Sequence, residues 1–198
     1  MLRQLNRFLL FSMGSLLLSL SLSARAEIVS NPPKESGSNV TVEFIYDYQC
    51  PYCHEEYPAI HQLAAGGMTV IWRPVAIIHN PESLEEAAGA ITASRTGGTF
   101  SIYQSLFMAN PEIMNENEIS ENMRSFIEAQ PDFEKSMHEL WVKAELDANL
   151  ARLHEVGAEG VPVTIVYHTM HPDERIVLQG VQSTRSLEEA IHAARQMV

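Results

Sequence analysis

Short apolar runs and longer helical periods alternate along this chain. Residues 40–47 (VTVEFIYD) are rich in β-branched and aromatic side chains and almost continuously apolar, which predicts a strand covered on both faces. Residues 68–78 (MTVIWRPVAII) predict a second strand. Residues 163–167 and 175–178 predict two short strands, joined by a polar turn at 169–173.

Helices are predicted after the first strand and at the end of the chain. Pro51 lies just inside a helix, where its missing N–H costs nothing, and Gly66-Gly67 ends that helix. Near the carboxyl end, the box Ser186-x-x-Glu189 predicts the cap of a final helix. Its buried face is predicted to contain Leu187, Ala190, Ile191 and Ala194.

The segment 80–157, between the second and third predicted strands, has a helical texture. Asn80-Pro81 and the box Ser83-x-x-Glu86 mark its start. Three breakers divide it into three or four helices, at residues 96–98, 110–111 and 130–131. One helical period is predicted to be core: Phe133, Met137, Leu140, Trp141 and Ala144. Strands that flank helices in this order predict an α/β sandwich.

The first 26 residues resemble a secretory signal. Arg3 and Arg7 supply a positive start, an apolar run covers 9–22, and Ala24-Arg25-Ala26 is a small-x-small cleavage site. At roughly 15 residues the run is shorter than the ~20 that span a bilayer, which favours cleavage after Ala26 over an uncleaved anchor. Residues 27–39 are polar and form a predicted N-terminal arm, too short for a dimerisation domain.

Charge narrows the range of partners. The chain has 13 basic and 25 acidic side chains, and removal of the three arginines of the signal leaves 10 basic ones. A net charge of about −15 argues against nucleic acid and anionic membrane surfaces as partners. The mature length suits one domain, or one domain with a large insertion.

Cys50 and Cys53 are the only cysteines of the chain. A disulfide between them would close a very short loop, worth about 2 kcal/mol or less. A chain that is 45% hydrophobic does not need this stabilisation to build a core. The pair is better explained as a redox couple that exchanges a disulfide with another protein.

The predicted helix start assigns different roles to the two thiols. Cys50 would face unpaired backbone N–H groups and the positive end of the helix dipole, which favour the thiolate, so it is the predicted attacking sulfur. Cys53, one turn further, would be more buried and would resolve the mixed disulfide. His54 would favour the thiolate if protonated; the alternative is an ordinary exposed helix residue.

A metal-handling module is a second class of function. The cysteines with His54 could hold a soft ion such as Cu(I), and His168 with His171 form another candidate pair. Two cysteines and one histidine fall short of a closed tetrahedral site, so no metal is assigned.

The chain resembles the thioredoxin superfamily. The resemblance rests on a strand that leads into Cys50-Pro51-Tyr52-Cys53, on Pro58 five residues after the second cysteine, and on Gly160-Val161-Pro162 before a later strand. The helical segment between the second and third strands is similar to the DsbA-like branch of exported thiol-disulfide oxidoreductases. The resemblance implies a thioredoxin fold formed by residues 40–79 and 158–198, with an inserted helical domain at 80–157.

This resemblance also implies a function. A periplasmic, monomeric enzyme without a cofactor would donate the Cys50–Cys53 disulfide to unfolded or reduced secreted proteins, and a membrane quinone-linked partner would reoxidise it. Pro162 would be cis and lie against the redox pair, and Val161 would offer its backbone to an extended substrate. Pro51 and Tyr52 would complete the substrate-binding surface.

Two departures from the family pattern affect the predicted chemistry. Tyr52 stands where many DsbA-like proteins have histidine, which predicts a milder oxidant. The family usually has a proton-relaying carboxylate six residues before the first cysteine, whereas Glu43 is seven residues before Cys50. Because strand side chains alternate, Glu43 would point away unless a bulge restores its face; the alternative is a solvent-facing or otherwise paired glutamate.

The direction of disulfide transfer has an alternative as well. A disulfide isomerase or reductase of the same fold would use the same cysteines but be kept reduced. Val161, where other branches have threonine, resembles the oxidases, and the short N-terminal arm agrees with this prediction.

Overall fold

In the computed structural model, the predicted apolar run at residues 40–47 forms a central strand of a four-stranded sheet, with a neighbouring strand on each side. The structure describes residues 39–78, 80–96, 99–108, 116–130 and 132–197. The predicted signal segment and residues 27–38 of the predicted arm lie outside this range. In chain order the elements are β1 (Val40–Tyr46), α1 (Pro51–Ala65), β2 (Thr69–Pro74), α2 (Pro81–Arg95), α3 (Thr99–Phe107), α4 (Glu116–Glu128), α5 (Phe133–Met137), α6 (Leu140–Glu155), β3 (Val163–His168), β4 (Arg175–Gln179) and α7 (Thr184–Ala194).

The sheet has the order β2-β1-β3-β4. β1 and β2 are parallel, and α1 is the crossover helix that a parallel pair requires. β3 is antiparallel to both β1 and β4. The four predicted strands and the α/β fold class are therefore confirmed.

Alternating side chains of the strands form two cores, one on each face of the sheet. Val42, Phe44 and Tyr46 of β1 pack in one cluster with α1, α7 and the helices α2–α5. Ile45 of β1 packs on the other face with β3 side chains and with Leu153 of α6. The predicted buried face of α7 is confirmed, since all four of its residues are buried. A helix thus covers each face of the central strands.

β2 is shorter than predicted because its last residues find other hydrogen-bond partners. The strand ends at Pro74, whereas the apolar pattern predicted a strand to Ile78. Beyond Pro74, the backbone N–H groups of Ile77 and Ile78 donate to Oδ2 of Asp47, at 2.9 and 3.0 Å. A buried carboxylate at the end of β1 therefore replaces the sheet ladder.

The segment between β2 and β3 contains five described helices, one or two more than predicted. The extra division lies at His138–Glu139, where α5 ends and α6 begins. Phe133 and Met137 are buried as predicted, but Leu140 is 86% exposed and Ala144 is also exposed. These two predictions were wrong because the break between the helices resets the helical period.

The helix caps agree only in part with the predicted boxes. Asn80 caps α2, with its side chain accepting from the Ser83 backbone N–H at 2.8 Å, and Pro81 is the first helical residue. α7 begins one turn earlier than predicted, because Ser183, not Ser186, is its cap. Ser83 and Glu86 are fully buried instead of forming an exposed capping box.

The element order matches a four-stranded unit with α2–α6 placed between β2 and β3. The assignment of residues 80–157 to an inserted helical domain stays a prediction. None of the described helices is long and apolar enough to cross a membrane.

Candidate active site

Cys50 lies where β1 has ended and α1 begins. It is the N-cap of α1 with extended backbone angles, and Pro51 follows as the first helical residue. The N–H of Cys50 donates to the carbonyl oxygen of Asp47 at 3.1 Å, which closes a tight turn over residues 47–50. This turn, hereafter the redox loop, holds Cys50 at the open end of the helix, as predicted.

The two thiols have opposite ionisation preferences. The hydrogen bond from the Cys53 thiol, aided by the backbone N–H groups of Cys53 and Tyr52, lowers the pKa of Cys50 to about 7, although burial opposes it. Burial raises the pKa of the Cys53 thiol far above its ordinary range, and the neighbouring Cys50 adds to this increase. The Cys50 thiol therefore ionises more readily than an ordinary cysteine, and the Cys53 thiol less readily.

The turn before β3 lies directly against Cys50. The peptide bond between Val161 and Pro162 is cis, as the resemblance implied. The Sγ atom of Cys50 donates to the carbonyl oxygen of Val161 at 3.6 Å. Pro162 is buried, and Val161 beside the sulfur is partly exposed.

The residues between the two cysteines face solvent. Tyr52 is 61% exposed and Pro51 is also exposed. An exposed aromatic ring next to Cys50 offers apolar contact area to a substrate segment. The structure thus brings together six of the predicted site residues: Cys50, Pro51, Tyr52, Cys53, Val161 and Pro162.

The chain was compared with known proteins. No protein-family model matches it, and no curated protein matches it significantly. A solved thioredoxin-like oxidoreductase from Silicibacter pomeroyi superposes with a TM-score of 0.70 at 22% identity, covering 86% of this chain and 94% of that one. The fold is thioredoxin-like.

Two further solved structures with this thioredoxin-like fold come from other bacteria. A periplasmic thioredoxin-like protein from Salmonella enterica has a TM-score of 0.65 at 19% identity, covering 85% of this chain and 91% of that one. The thiol-disulfide exchange protein alpha-DsbA2 from Wolbachia pipientis has a TM-score of 0.66 at 17% identity, covering 80% and 83%. Identities this low support the fold alone.

His54 is buried within the thioredoxin-like unit, so the alternative of an exposed helix residue is wrong. Only 8% of the residue is accessible, and its Nε2 lies 2.6 Å from the carbonyl oxygen of Tyr48. A ring nitrogen at this distance from a carbonyl must carry hydrogen, so Nε2 is the donor. His54 therefore ties α1 to the redox loop through its ring, and its effect on the thiolate stays a prediction.

Glu43 lies on the opposite face of β1 from the core cluster that contains Cys53. β1 pairs with both neighbouring strands without a bulge, so the side-chain alternation is kept and the carboxylate points away. Glu43 is buried and paired with Arg73 and with Arg152, the latter at 2.9 Å. These guanidinium groups hold its pKa below the ordinary range even though burial, the largest single effect, would raise it. The interpretation as a paired glutamate agrees with the structure, and Glu43 does not lie with the cysteines.

Asp47 lies three residues before Cys50, and the sequence analysis did not identify it as a site residue. It is fully buried and accepts hydrogen bonds from the N–H groups of Gln49, Ile77 and Ile78 and from the hydroxyl of Ser83. Its charge acts to raise the pKa of both thiols. A polar residue at the end of an otherwise apolar strand was the available signal.

Two other buried acids flank the site. Glu56 of α1 accepts from the Thr164 hydroxyl at 2.7 Å, and Glu86 of α2 accepts from the Gln49 side chain at 2.8 Å. Burial raises the pKa of Glu56 to about 7 and that of Glu86 to about 8. One oxygen of each carboxyl has no hydrogen-bond partner among the described residues. Their sequence positions resemble those of exposed helix residues, so no local signal revealed their burial.

The predicted histidine pair lies at the far end of β3 from Pro162. The rings of His168 and His171 are 5.2 Å apart. His168 is the last residue of β3, and His171 lies three residues beyond it. β3 has six residues, a length of about 20 Å, so this pair and the cysteines are at different ends of the sheet. Within the described ranges, no group of three or more His, Cys, Asp or Glu side chains could hold a metal ion.

Proposed function

We propose that this protein is an exported thiol-disulfide oxidoreductase that donates its Cys50–Cys53 disulfide to reduced secreted proteins. The observation that carries the proposal is the asymmetric placement of the two thiols: Cys50 caps α1 with its Sγ 3.6 Å from the Val161 carbonyl oxygen, whereas Cys53 is completely buried. The predicted signal segment and the periplasmic neighbour support export. The thiol-disulfide exchange neighbour supports the reaction type.

Donation takes two exchanges at sulfur. A substrate thiolate attacks Sγ of Cys50, the Cys50–Cys53 bond breaks, and Cys53 leaves and takes up a proton. A second substrate thiolate then attacks the substrate sulfur of the mixed disulfide and expels Cys50 as a thiolate. The substrate loses two electrons and two protons in total, and the protein gains the two electrons. Because Cys50 is the stabilised thiolate, it is the better leaving group in the second step.

Substrate is proposed to bind in an extended form along Val161, with Pro51 and Tyr52 contacting its side chains. A membrane quinone-linked partner would restore the disulfide, and the protein would act as a monomer. An isomerase or reductase of the same fold is the alternative, and it differs in the redox state that its partner maintains.

An equilibrium titration of the purified protein against reduced and oxidised glutathione tests the direction of transfer. We expect a potential between about −120 and −200 mV, on the oxidising side of protein thiols. Cys50→Ser is the control and should form no disulfide within the pair. A potential near that of thioredoxin, about −270 mV, would overturn the oxidase proposal.

The redox state in the cell provides an independent measurement. Thiol labelling after acid quenching should find Cys50 and Cys53 mainly oxidised in the exported protein. In Cys53→Ser, the Cys50 thiolate can attack a disulfide of a secreted chain and release one substrate thiolate, and the mixed disulfide should accumulate because no second thiol of the pair is left to release Cys50. A mainly reduced pair in wild-type cells would instead favour the isomerase or reductase.

A further inference from the structure

Two residues of α2 reach the redox loop from the inserted helices. Ser83 and Glu86 are three residues apart, so they lie on one face of α2, and both are fully buried. The Ser83 hydroxyl donates to Oδ2 of Asp47 at 2.7 Å, and Nε2 of Gln49 donates to Oε2 of Glu86 at 2.8 Å. Because Asp47 and Gln49 belong to the turn that ends at Cys50, α2 is attached to this turn at two points.

The two carboxyl groups of this attachment have different hydrogen-bond environments. Asp47 accepts four hydrogen bonds, one at Oδ1 and three at Oδ2. Glu86 accepts one, and its Oε1 is buried without a partner in the part of the chain that the structure describes. A buried oxygen without a donor costs less free energy on a neutral acid than on a carboxylate.

The charges that face Glu86 also favour its neutral form. Asp47 acts on it from the redox loop, and Glu85 and Glu82 act on it from its own helix. From α3, the Tyr103 hydroxyl donates to the backbone carbonyl of Glu86 at 2.8 Å. Burial and, to a smaller extent, these three acids raise the pKa of Glu86 to about 8, although the hydrogen bond from Gln49 acts to lower it.

The helix that makes the attachment, α2, packs closely against α3. Gly89, three residues after Glu86, leaves the space that the Tyr103 ring occupies, and a Cβ atom there would overlap the ring. The close approach of α2 and α3 therefore requires glycine at position 89.

We propose that Ser83 and Glu86 form a two-point clamp through which the inserted helices position Cys50, and that Glu86 carries a proton while it does so. The inference rests on the proposed thiol-disulfide exchange. Glu86 is a positioning residue, because it contacts Gln49 and not the sulfur. Loss of its proton would place a second negative charge beside Asp47 and make the Cys50 thiolate harder to form.

Titration of the Cys50 thiolate tests the proton on Glu86. The ultraviolet absorbance of the reduced protein is followed from about pH 5 to about pH 10, with Cys50→Ser as the baseline. The wild-type curve should be broader than a single-proton curve, with an added alkaline part near pH 8. Glu86→Gln keeps an oxygen acceptor for Gln49 but cannot ionise, so it should give a single-proton curve. Superposable curves for the two proteins would overturn the assignment of the proton.

Exchange kinetics at about pH 6, where Glu86 is protonated, test the positioning. The probe is the rate at which reduced protein attacks a small aromatic disulfide, dithiobis(nitrobenzoate). Gln49→Ala and Glu86→Ala should each slow this rate about three- to tenfold, and the double variant should be no slower than either one. Glu86→Gln should stay within about twofold of the wild type. Additive losses, or an unchanged Gln49→Ala, would overturn the clamp.

Two comparisons keep these outcomes separate from other causes. Glu145→Gln removes a buried glutamate of α6 outside the site and should leave the rate unchanged. Equilibration of the wild type with glutathione is measured in parallel. Failure of that equilibration would overturn the proposed function, whereas normal equilibration with unchanged variant rates would overturn the clamp alone.

Discussion

Cys50 and Cys53 have the same side chain, but they lie three residues apart at the start of α1 and therefore have different environments. Cys50 ends the redox loop and receives hydrogen bonds from the first turn of α1, while Cys53 is completely buried beneath that turn. Each hydrogen bond to the Cys50 sulfur stabilises the thiolate, and burial of Cys53 destabilises its own. The low pKa of Cys50 therefore depends mainly on the hydrogen bond that the Cys53 thiol donates to its sulfur.

Substitution of Cys53 tests this dependence. Cys53→Ala removes the largest contribution to the low pKa of Cys50, so that pKa should rise from about 7 by roughly 1 or more. Cys53→Ser retains a hydroxyl donor and should keep the pKa closer to the wild-type value. In the reduced wild type, reaction with a small disulfide should accelerate as pH rises through about 7 and level off only above about pH 8, because the thiolate is the nucleophile and its formation is coupled to Glu86.

The absorbance of the thiolate against pH measures all three proteins. Equal pKa values in the alanine and serine variants would contradict the role of the Cys53 donor. An unchanged fold, checked by circular dichroism, is the control for both variants.

At the scale of elements, the break between α5 and α6 decides which side chains are core. Met137 ends α5 and is 5% exposed, whereas Leu140 begins α6 and is 86% exposed. Met137→Ala should therefore lower the free energy of unfolding by about 2–4 kcal/mol. Leu140→Ala should change it by less than about 0.5 kcal/mol. Urea unfolding of both variants measures this difference, and equal losses would show that one uninterrupted helical period operates here.

Sequence patterns predicted the elements well where local rules decide them. β1, α1 and the four buried residues of α7 follow from β-branched runs, from Pro51 and Gly66, and from helical periodicity. The end of β2 could not be predicted, because it depends on Asp47, a residue 30 positions earlier, accepting the N–H of Ile77. The motif at Ser83 and Glu86 was interpreted as a capping box for the same reason, because its actual partners, Asp47 and Gln49, lie in the redox loop.

At the scale of the whole molecule, buried acids make stability depend on pH. A glutamate has an ordinary pKa of 4.5, whereas folding raises that of Glu56 to about 7 and that of Glu86 to about 8. The folded protein therefore binds more protons than the unfolded chain between these values. The stabilisation from these groups is fully present below about pH 4.5 and is lost as pH rises through about 7 and 8.

Glu56→Gln tests this pH dependence on the global free energy of unfolding. The glutamine keeps an acceptor for Thr164 but never takes a charge. Relative to the wild type, the variant should gain on the order of 2 kcal/mol between about pH 5 and about pH 8. Urea unfolding midpoints at the two pH values measure the gain. A difference between variant and wild type that does not change with pH would contradict the prediction.

A second buried network joins α6 to the sheet. Glu43 of β1 pairs with Arg73 of β2 and with Arg152 of α6 on the face opposite to α1. Asn149 of α6 adds bonds to Arg73 and to the Pro74 carbonyl. Glu43, the candidate proton relay of the sequence analysis, thus joins α6 to the sheet, while Asp47 and Glu86 lie at the redox loop.

The sequence by itself determined the strand that leads into Cys50, the helix that follows it, and the roles expected of the two cysteines. These depend on neighbours along the chain: apolar alternation, a proline at the first helical position, and two thiols one turn apart. The tertiary structure decided which acids surround the site, since burial and distant partners such as Gln49 with Glu86 set their protonation. Local sequence carries no record of what packs against a side chain. The placement of Glu86 beside the redox loop was therefore decided by the fold.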